Sequence, residues 1–379
     1  MPVPRRKSKA KPALLKWARE SARLTIEIAA QRAGVKPDAV ALWESGEDAP
    51  SIPQLRKLAE VYKRPLVVFY LPAPPKDFDA LRDFRRLPAN APEESPELAA
   101  EIRWAHDMRE VAVEAFELTG HEIPTFEVTA KLTESPATVA DRLRAALGLE
   151  PTGLGNVGDW YEAYRLRREA LEQHGVLVFQ ITGVDVGEAR GFSINHRPFP
   201  VVAVNAGDAV AARMFTLAHE VVHLALGAGG TCDLHNRGDQ DRDRIEVFCN
   251  AVAGETLVPG VYLKREPEVR GVNRPVDWDD GTIRDIAARY WVSREVLVRR
   301  FLELGLTSPE FYRAKRAAFR KADVPPESGG GNFWNNYRVK YGNVVVAGVM
   351  DAYRAGKLTA NEAAAYLRLK VNGLEVVQR

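Results

Sequence analysis

Two histidines one helical turn apart lie in a long apolar segment that has to be a helix. His219 and His223 fall within residues 210–226, a stretch without proline or glycine, and Gly227 follows where a helix would stop. Residues four positions apart share one face of a helix, so both imidazoles can bind one divalent ion, with Glu220 beside them. The pattern predicts a metal site on this helix. The alternative is a pair of histidines satisfied within a core.

A second predicted helix, residues 244–255, supplies the candidates for a third ligand. Glu246 is the preferred ligand, and Asn250, one turn further on, can orient a ligand from behind. Glu255 is predicted to be a solvent-exposed charge. Catalytic zinc sites take three protein ligands and leave one position open. We therefore expect Glu246 to join the two histidines.

The loop between these helices contains a competing pair of metal-binding side chains. Cys232 and His235 have the right chemistry, but no second Cys/His pair is present to complete a structural zinc site. With only Cys232 and Cys249 in 379 residues, the chain has no disulfide framework, which is typical of a reducing compartment. No signal peptide is evident, and no segment approaches the roughly 18 apolar residues of a membrane span. We expect a cytoplasmic protein without membrane contact.

The residues around both helices resemble those of a known peptidase family. The string Phe-Thr-Leu-Ala-His-Glu at 215–220, the later Glu246 and Asn250, and the segments 191–193 and 200–205 are together similar to the ImmA/IrrE metallo-endopeptidases. The resemblance implies a metal-dependent endopeptidase that cleaves XRE-type transcriptional repressors. It also implies a role in derepressing stress or mobile-element genes.

The expected chemistry follows from this site. The three ligands are expected to hold Zn²⁺, although two imidazoles and a carboxylate also suit Mn²⁺. The ion is expected to activate a water and polarise the scissile carbonyl, while Glu220 takes the water's proton and passes it to the leaving amine. His235 and Tyr262 are the two candidates for stabilising the oxyanion.

The first 75 residues carry a different pattern. They contain 14 Lys/Arg against 7 Asp/Glu, a local excess of +7 in a chain whose net charge is +2. Segments 24–35 and 36–44 indicate two helices around a tight turn at Gly34, and a third helix follows from Ser51. Trp43 is predicted to be a core residue. The whole stretch closely resembles XRE-type helix-turn-helix repressor domains.

DNA binding by this domain is the favoured prediction, with a protein partner as the alternative. Lys36, Asp38 and Ala39 would face a DNA groove from the second helix, and only Lys36 among them is a strong donor. The basic N-terminal arm adds sequence-independent phosphate contacts, or is simply a solvated tail. Attached to a peptidase, such a domain could target it to a repressor or to its operator.

The predicted fold is α+β and mostly helical, in four parts. Residues 1–75 form the helix-turn-helix bundle, 76–158 a linker and helical segment, 159–262 a zincin-like peptidase core, and 263–379 a helical C-terminal region. Three strands at 177–181, 191–194 and 200–205 form a small sheet, and an exposed edge strand beside the metal helix would bind an extended peptide. Further helices are predicted at 97–119, 135–149, 159–174 and, as a pair, 343–370, with breaks at 88–96 and 328–331.

Residues 281–305 again have helix-turn-helix form. Ser293 is predicted to cap the second helix, and Arg299 and Arg300 look basic enough for DNA. The longer members of the resembled family contain the same stretch within the catalytic domain, and we therefore interpret it as structural.

Two functions without proteolysis are compatible with the same sequence. One is an XRE-type transcriptional regulator whose metal domain senses a metal or ligand, and the other is an antitoxin-like protein that binds a toxin. The presence of all three ligands and of Glu220 argues against a dead site. A homo-oligomer is compatible with each of these functions.

Overall fold

The computed structural model describes residues 7–74, 95–149, 157–227, 239–322 and 333–377. The chain divides into two compact units, Met1–Trp104 and Ala105–Arg379. The start of the predicted basic arm, most of the predicted break at 88–96, and the predicted break at 328–331 lie outside the described residues.

The N-terminal unit contains the predicted helix-turn-helix. Its helices are α1 (Pro12–Ser21), α2 (Ile26–Ala33), α3 (Pro37–Ser45) and α4 (Ile52–Val61), followed by a 3-10 turn at Leu66–Tyr70. Thr25 caps α2 by accepting a hydrogen bond from the Ile28 amide, and Gly34 ends it at φ +66°, a conformation that glycine adopts without strain. Pro37 stands in the first turn of α3, where no amide donor is needed.

One core holds these helices together. Trp43 is 3% exposed, so its prediction as a core residue is confirmed, and the inward-facing residues of α4 are buried with it. Glu44 accepts hydrogen bonds from Nε and Nη2 of Arg19 at 2.7 and 2.9 Å. This bidentate pair joins α3 to α1 and fixes the angle between them.

Three described helices lie between α4 and the sheet. They are α5 (Pro96–Thr119), α6 (Pro136–Leu147) and α7 (Trp160–Gln173), close to the predicted bounds. Ser135 and Asp159 cap α6 and α7 through their side chains, because each accepts a hydrogen bond from an amide three residues later. Both caps place the polar residue where the apolar periodicity begins.

The small sheet has the three predicted strands, β1 (Leu177–Ile181), β2 (Gly191–Ile194) and β3 (Val201–Asn205). The order is β1-β3-β2, with β1 parallel and β2 antiparallel to β3. Every residue of β1 and β3 is buried, as expected for strands covered on both faces. Strand β2 alternates between half-buried and buried residues and lies at an edge of the sheet.

A further group of helices follows the sheet directly. They are α8 (Val210–Gly227), α9 (Asp239–Leu257), α10 (Gly260–Leu263), α11 (Asp280–Arg289), α12 (Arg294–Glu303) and α13 (Pro309–Ala322). Ser293 caps α12, as predicted. Helices α11 and α12 share an apolar core with Leu257 and Val258 at the end of α9. The second helix-turn-helix segment is therefore packed against the end of α9, in agreement with its structural interpretation.

The prediction that Glu255 is a solvated charge is wrong. Glu255 is 9% exposed and pairs with the guanidinium of Arg300 on α12, which is 4% exposed. It also accepts a hydrogen bond from the Gly260 amide at 3.0 Å. At 100° per residue, nine residues place Glu255 on the opposite side of α9 from Glu246, and α12 rather than solvent covers that side. Arg300 is thereby committed to an internal ion pair and is not available to DNA.

The C-terminal helices are α14 (Phe333–Tyr341), α15 (Asn343–Arg354), α16 (Ala360–Tyr366) and α17 (Leu374–Val377), with a 3-10 turn at Val371–Gly373. The helix pair predicted at 343–370 corresponds to α15 and α16, so this prediction is confirmed. The mostly helical α+β class with one small sheet is also confirmed. Within the described ranges, no helix has both the length and the apolar character needed to cross a membrane.

Candidate metal centre

Helix α8 separates an apolar face from a polar one. Its buried residues face the main core of the second unit; they are Met214, Leu217, Val221, Val222, Leu224 and Ala225. His219, Glu220 and His223 are half-buried on the other side. The apolar residues recur at helical spacing, so burying them turns the two histidines and Glu220 toward the same side of the helix.

Helix α9 packs against α8 through the same core. Ile245, Phe248, Cys249 and Val252 are buried there at the spacing of one helix face. Glu246 lies at the border of this face, and its side chain remains 54% exposed. Packing of the two apolar faces thus brings a carboxylate from α9 to the histidines of α8.

Potential ligand atoms of three residues converge at this point. Nε2 of His219 lies 3.1 Å from Nε2 of His223. The two carboxylate oxygens of Glu246 lie 3.3 Å from these nitrogens, Oε2 from His219 and Oε1 from His223. The three residues form the one group of potential ligands found among the described residues, with ligand atoms all within 4.8 Å of one another.

These separations fit a tetrahedral metal ion. Zinc binds imidazole nitrogen and carboxylate oxygen at about 2.0–2.1 Å, which places neighbouring tetrahedral ligands roughly 3.3 Å apart. The two imidazole nitrogens lie 3.1 Å apart, and each lies 3.3 Å from a different oxygen of the Glu246 carboxylate. Two neutral imidazoles and one carboxylate also form a donor set that suits zinc and accepts manganese. Residues and geometry therefore fit a divalent ion.

The electrostatics of the site favour positive charge at its centre. Burial disfavours a protonated His223, but hydrogen bonds with Cys249 and Glu246 outweigh it and raise the pKa of His223 well above its usual range. Hydrogen bonds from His219 and His223 lower the pKa of Glu246 far below that of a free carboxyl group. The ionised Glu246 carboxylate therefore attracts positive charge to the centre of the site. A bound cation would supply that charge.

Glu220 is held from the sheet. Its Oε2 accepts a hydrogen bond of 2.9 Å from Oγ of Ser193 on the edge strand β2. Strand β2 approaches α8 closely because Gly191 has no side chain: a Cβ there would lie 2.5 Å from Cγ2 of Thr216 and 2.6 Å from the Ala203 carbonyl oxygen. The edge strand and the carboxylate are therefore fixed relative to each other, and Oε1 of Glu220 is the oxygen that Ser193 does not engage.

The outer nitrogens of the two imidazoles have unequal surroundings. Nδ1 of His223 lies 3.8 Å from Sγ of Cys249, a residue with 0% exposure. Nδ1 of His219 is buried and has no hydrogen-bond partner among the described residues. Burial raises the pKa of the Cys249 thiol, so it is protonated at neutral pH.

Two family models match parts of this chain. Residues 15–69 match a helix-turn-helix model, and residues 171–302 match the IrrE N-terminal-like domain of a metallopeptidase family. The chain joins a helix-turn-helix domain to an IrrE N-terminal-like domain. The peptidase match includes the sheet, α8, α9 and most of the second helix-turn-helix segment. Among curated proteins, none matches the chain.

The structure brings some predicted site residues together and leaves others apart. His219, His223 and Glu246 meet beside Glu220, while Asn250 is half-buried one turn beyond Glu246. Tyr262 is half-buried against the apolar core that α11 and α12 share, and the Arg265 guanidinium lies 5.7 Å from its ring centroid. The other oxyanion candidate and the competing ligand pair, His235 and Cys232, lie outside the described residues.

The residues predicted to bind DNA differ in accessibility. Lys36 and Asp38 are exposed at the start of α3, whereas Ala39 is half-buried against the core of its own unit. Lys36 is the single cation between residues 36 and 45. Of the three residues predicted to contact DNA, the two exposed ones are therefore one cation and one carboxylate.

Two residues of the site were missed in the sequence. Ser193 lies within the strand segment that resembled the family, yet nothing in its local pattern indicates a contact with Glu220, 27 residues away. Cys249 stands three residues after Glu246, and the usual interpretation of a lone cysteine on a helix is a small core residue. Cys249 is fully buried, and its contact with His223 depends on how α8 and α9 pack.

Proposed function

We propose that the chain is a zinc-dependent endopeptidase that cleaves a protein substrate. The observation that carries this proposal is the convergence of two imidazole nitrogens and one carboxylate within 3.3 Å of each other, beside Glu220. His219, His223 and Glu246 would hold the ion. The chemistry that Zn²⁺ supplies when bound is Lewis-acid activation of a water and of the scissile carbonyl.

The chain's own residues would divide the remaining work. Glu220 acts as general base and then as general acid: Oε1 takes the proton of the attacking water and passes it to the leaving amine. Ser193 holds the other carboxylate oxygen, so the base is oriented before substrate arrives. Half-burial of the histidines limits competition from bulk water at the reacting carbonyl.

The edge strand β2 is the proposed binding surface for the substrate backbone. One side of β2 pairs with β3, and no other described strand pairs with its second side. An extended peptide can add to such an edge through main-chain hydrogen bonds. Because Ser193 contacts Glu220 from this strand, a peptide bound along β2 would run past the base.

We infer that the substrate is an XRE-type transcriptional repressor, so that cleavage derepresses its target genes, including stress-response genes. The support is the combination of a peptidase domain with a helix-turn-helix domain in one chain. The helix-turn-helix domain would bring the enzyme to the repressor or to the DNA on which the repressor sits. With Lys36 as the single cation from 36 to 45, DNA binding would depend more on phosphate contacts than on base recognition.

The proposed metal site is tested by metal analysis of purified variants. Wild type and His121→Ala, a substitution of an exposed histidine outside the site, should each carry about one metal ion per chain. His219→Ala and His223→Ala should lose it. Equal metal content in wild type and His223→Ala would remove the basis of the proposal.

The Glu220→Gln variant distinguishes proteolysis from metal sensing, because it removes the base and keeps the metal ligands. If Glu220→Gln retains metal and still regulates the same genes as wild type, the chain is a metal-dependent regulator rather than a peptidase. If it retains metal but leaves the repressor intact, the peptidase function is supported. If wild type and Glu220→Gln both bind a toxin and neither cleaves a protein, the antitoxin function is favoured.

A further inference from the structure

We infer that Cys249 is a positioning residue for metal binding: its buried sulfur accepts the Nδ1 proton of His223 and so holds Nε2 toward the ion. This inference rests on the metal site of the proposed function. It adds a role for a cysteine that neither the motif nor the family match assigns.

The two ring nitrogens of His223 face different partners. Its Nε2 faces the centre of the site, 3.1 Å from Nε2 of His219 and 3.3 Å from Oε1 of Glu246. Its Nδ1 faces the opposite way, 3.8 Å from Sγ of Cys249. A neutral imidazole that binds metal through Nε2 carries its hydrogen on Nδ1, and the partner of that hydrogen sets the tautomer and the ring orientation.

Cys249 occupies a buried position beside His223. It lies three residues after Glu246 on α9 and is 0% exposed, within the core that α8 and α9 share. Water therefore does not replace the sulfur as acceptor for Nδ1. One helix supplies both the carboxylate ligand and the outer contact of a histidine ligand, so shifting α9 would change both together.

Contact geometry also separates this role from direct ligation. The ligand atoms that converge belong to His219, His223 and Glu246, whereas the sulfur lies against the outer nitrogen of His223. The corresponding nitrogen of His219 has no partner among the described residues. Among the described residues, Cys249 is therefore the outer contact of His223, and His219 has no corresponding hydrogen-bonding contact.

The size of the effect follows from the chemistry of sulfur. Outer contacts to metal-bound histidines usually come from carboxylates or carbonyls, and their loss typically lowers metal affinity about 10- to 100-fold. A thiol sulfur is a weaker acceptor than either of these groups. We expect the lower end of this range, about tenfold.

The test is a Zn²⁺ competition titration with a chromophoric chelator, using the full chain in a Cys232→Ser background so that one thiol remains. Cys249→Val keeps a small buried side chain but removes the acceptor, and should bind Zn²⁺ about tenfold more weakly. Cys249→Ser restores an acceptor and should recover most of the affinity. Val252→Ala, which removes buried side-chain volume from the same core, is the matched control and should bind like wild type.

The results that would overturn the inference are distinct. Equal affinity of Cys249→Val and wild type, or equal losses in Cys249→Val, Cys249→Ser and Val252→Ala, would show that the sulfur has no role beyond packing. Co²⁺-loaded protein gives a second readout. Sulfur-to-cobalt charge-transfer absorption that disappears in Cys249→Ser would make Cys249 a ligand and overturn the outer role. If wild type binds no metal, the proposed function itself fails, and this is visible before any Cys249 variant is measured.

Discussion

Ser193 on an edge strand donates a hydrogen bond of 2.9 Å to Oε2 of Glu220, 27 residues further along the chain. This contact links the strand proposed to bind substrate with the proposed base. The backbone of β2 would therefore position a substrate bound along it relative to the Glu220 carboxylate.

We predict that Ser193→Ala lowers kcat for cleavage of a purified XRE-type repressor about tenfold with little change in KM. A hydrogen bond to a charged group contributes about 1.5–3 kcal/mol. In Ser193→Ala the Glu220 carboxylate remains in place as a base and loses only its fixed orientation, so the rise in the activation barrier should be smaller than the full contribution of the bond. Ser193→Thr retains the hydroxyl and should remain close to wild type. In a Glu220→Gln background, Ser193→Ala should have no further effect on kcat. A full additional loss in that background would mean that Ser193 acts independently of Glu220.

Gly191→Ala should separate the edge strand from α8. Its Cβ would lie 2.6 Å from a backbone oxygen of β3 and 2.5 Å from Thr216, so the strand has to move. Overpacking of this kind costs about 1–3 kcal/mol, and we expect a lower melting temperature together with reduced cleavage. Gly158→Ala, whose Cβ would be no closer than 3.4 Å to a flexible carboxylate, is the control. Indistinguishable melting temperatures for the two variants would contradict this close packing.

Glu246→Ala and Glu255→Ala should fail in different ways, although both remove a carboxylate from α9. Glu246→Ala should lose metal and change the stability of the metal-free protein little. Glu255→Ala removes the buried partner of Arg300 and should lower the free energy of unfolding by on the order of 3 kcal/mol while metal binding is retained. Denaturant unfolding and metal analysis of both variants check this. Retention of metal by Glu246→Ala would exclude it as the third ligand.

DNA binding by the helix-turn-helix unit should depend on phosphate contacts. We expect affinities for two unrelated duplexes to be similar and to fall steeply with salt, because α3 offers Lys36 as its single strong donor. Lys36→Ala should weaken both complexes equally and reduce the salt dependence by about one ion, whereas Lys357→Ala in the other unit should not. Fluorescence anisotropy measures both quantities. A strong preference for one duplex that Lys36→Ala abolishes would indicate base recognition instead.

Local pattern was enough to predict α8, the three strands and most of the other helices. Helix α8 has an uninterrupted apolar periodicity, and the strands are short apolar runs between turns, so each element is specified by its own residues. Trp43 was predicted to be buried for the same reason, since an aromatic at helical spacing commonly packs in a core.

Contacts between elements were not predictable in this way. The helical spacing of Glu255 places it opposite Glu246, but whether that side meets solvent or α12 depends on packing across 45 residues of sequence. Ser193 and Cys249 likewise acquire their roles from the approach of β2 and α9 to α8. Such contacts depend on how the elements pack together. That packing is determined by many residues along the chain and not by any local pattern.

The central claim is that this chain cleaves a protein with Glu220 as its base. Replacement by Gln preserves the shape and hydrogen bonding of the side chain but removes the base, which typically lowers the rate 10²- to 10⁴-fold. Metal binding should be unchanged because the ligands are untouched.

The most direct measurement compares newly formed protein N-termini in cells that express equal amounts of wild type or Glu220→Gln, with metal content verified on both purified proteins. We predict N-termini that appear with wild type and are absent with Glu220→Gln, at least one of them inside an XRE-type repressor whose target genes are derepressed. Identical sets of N-termini from two equally metal-loaded proteins would contradict the proposal that the chain is a peptidase.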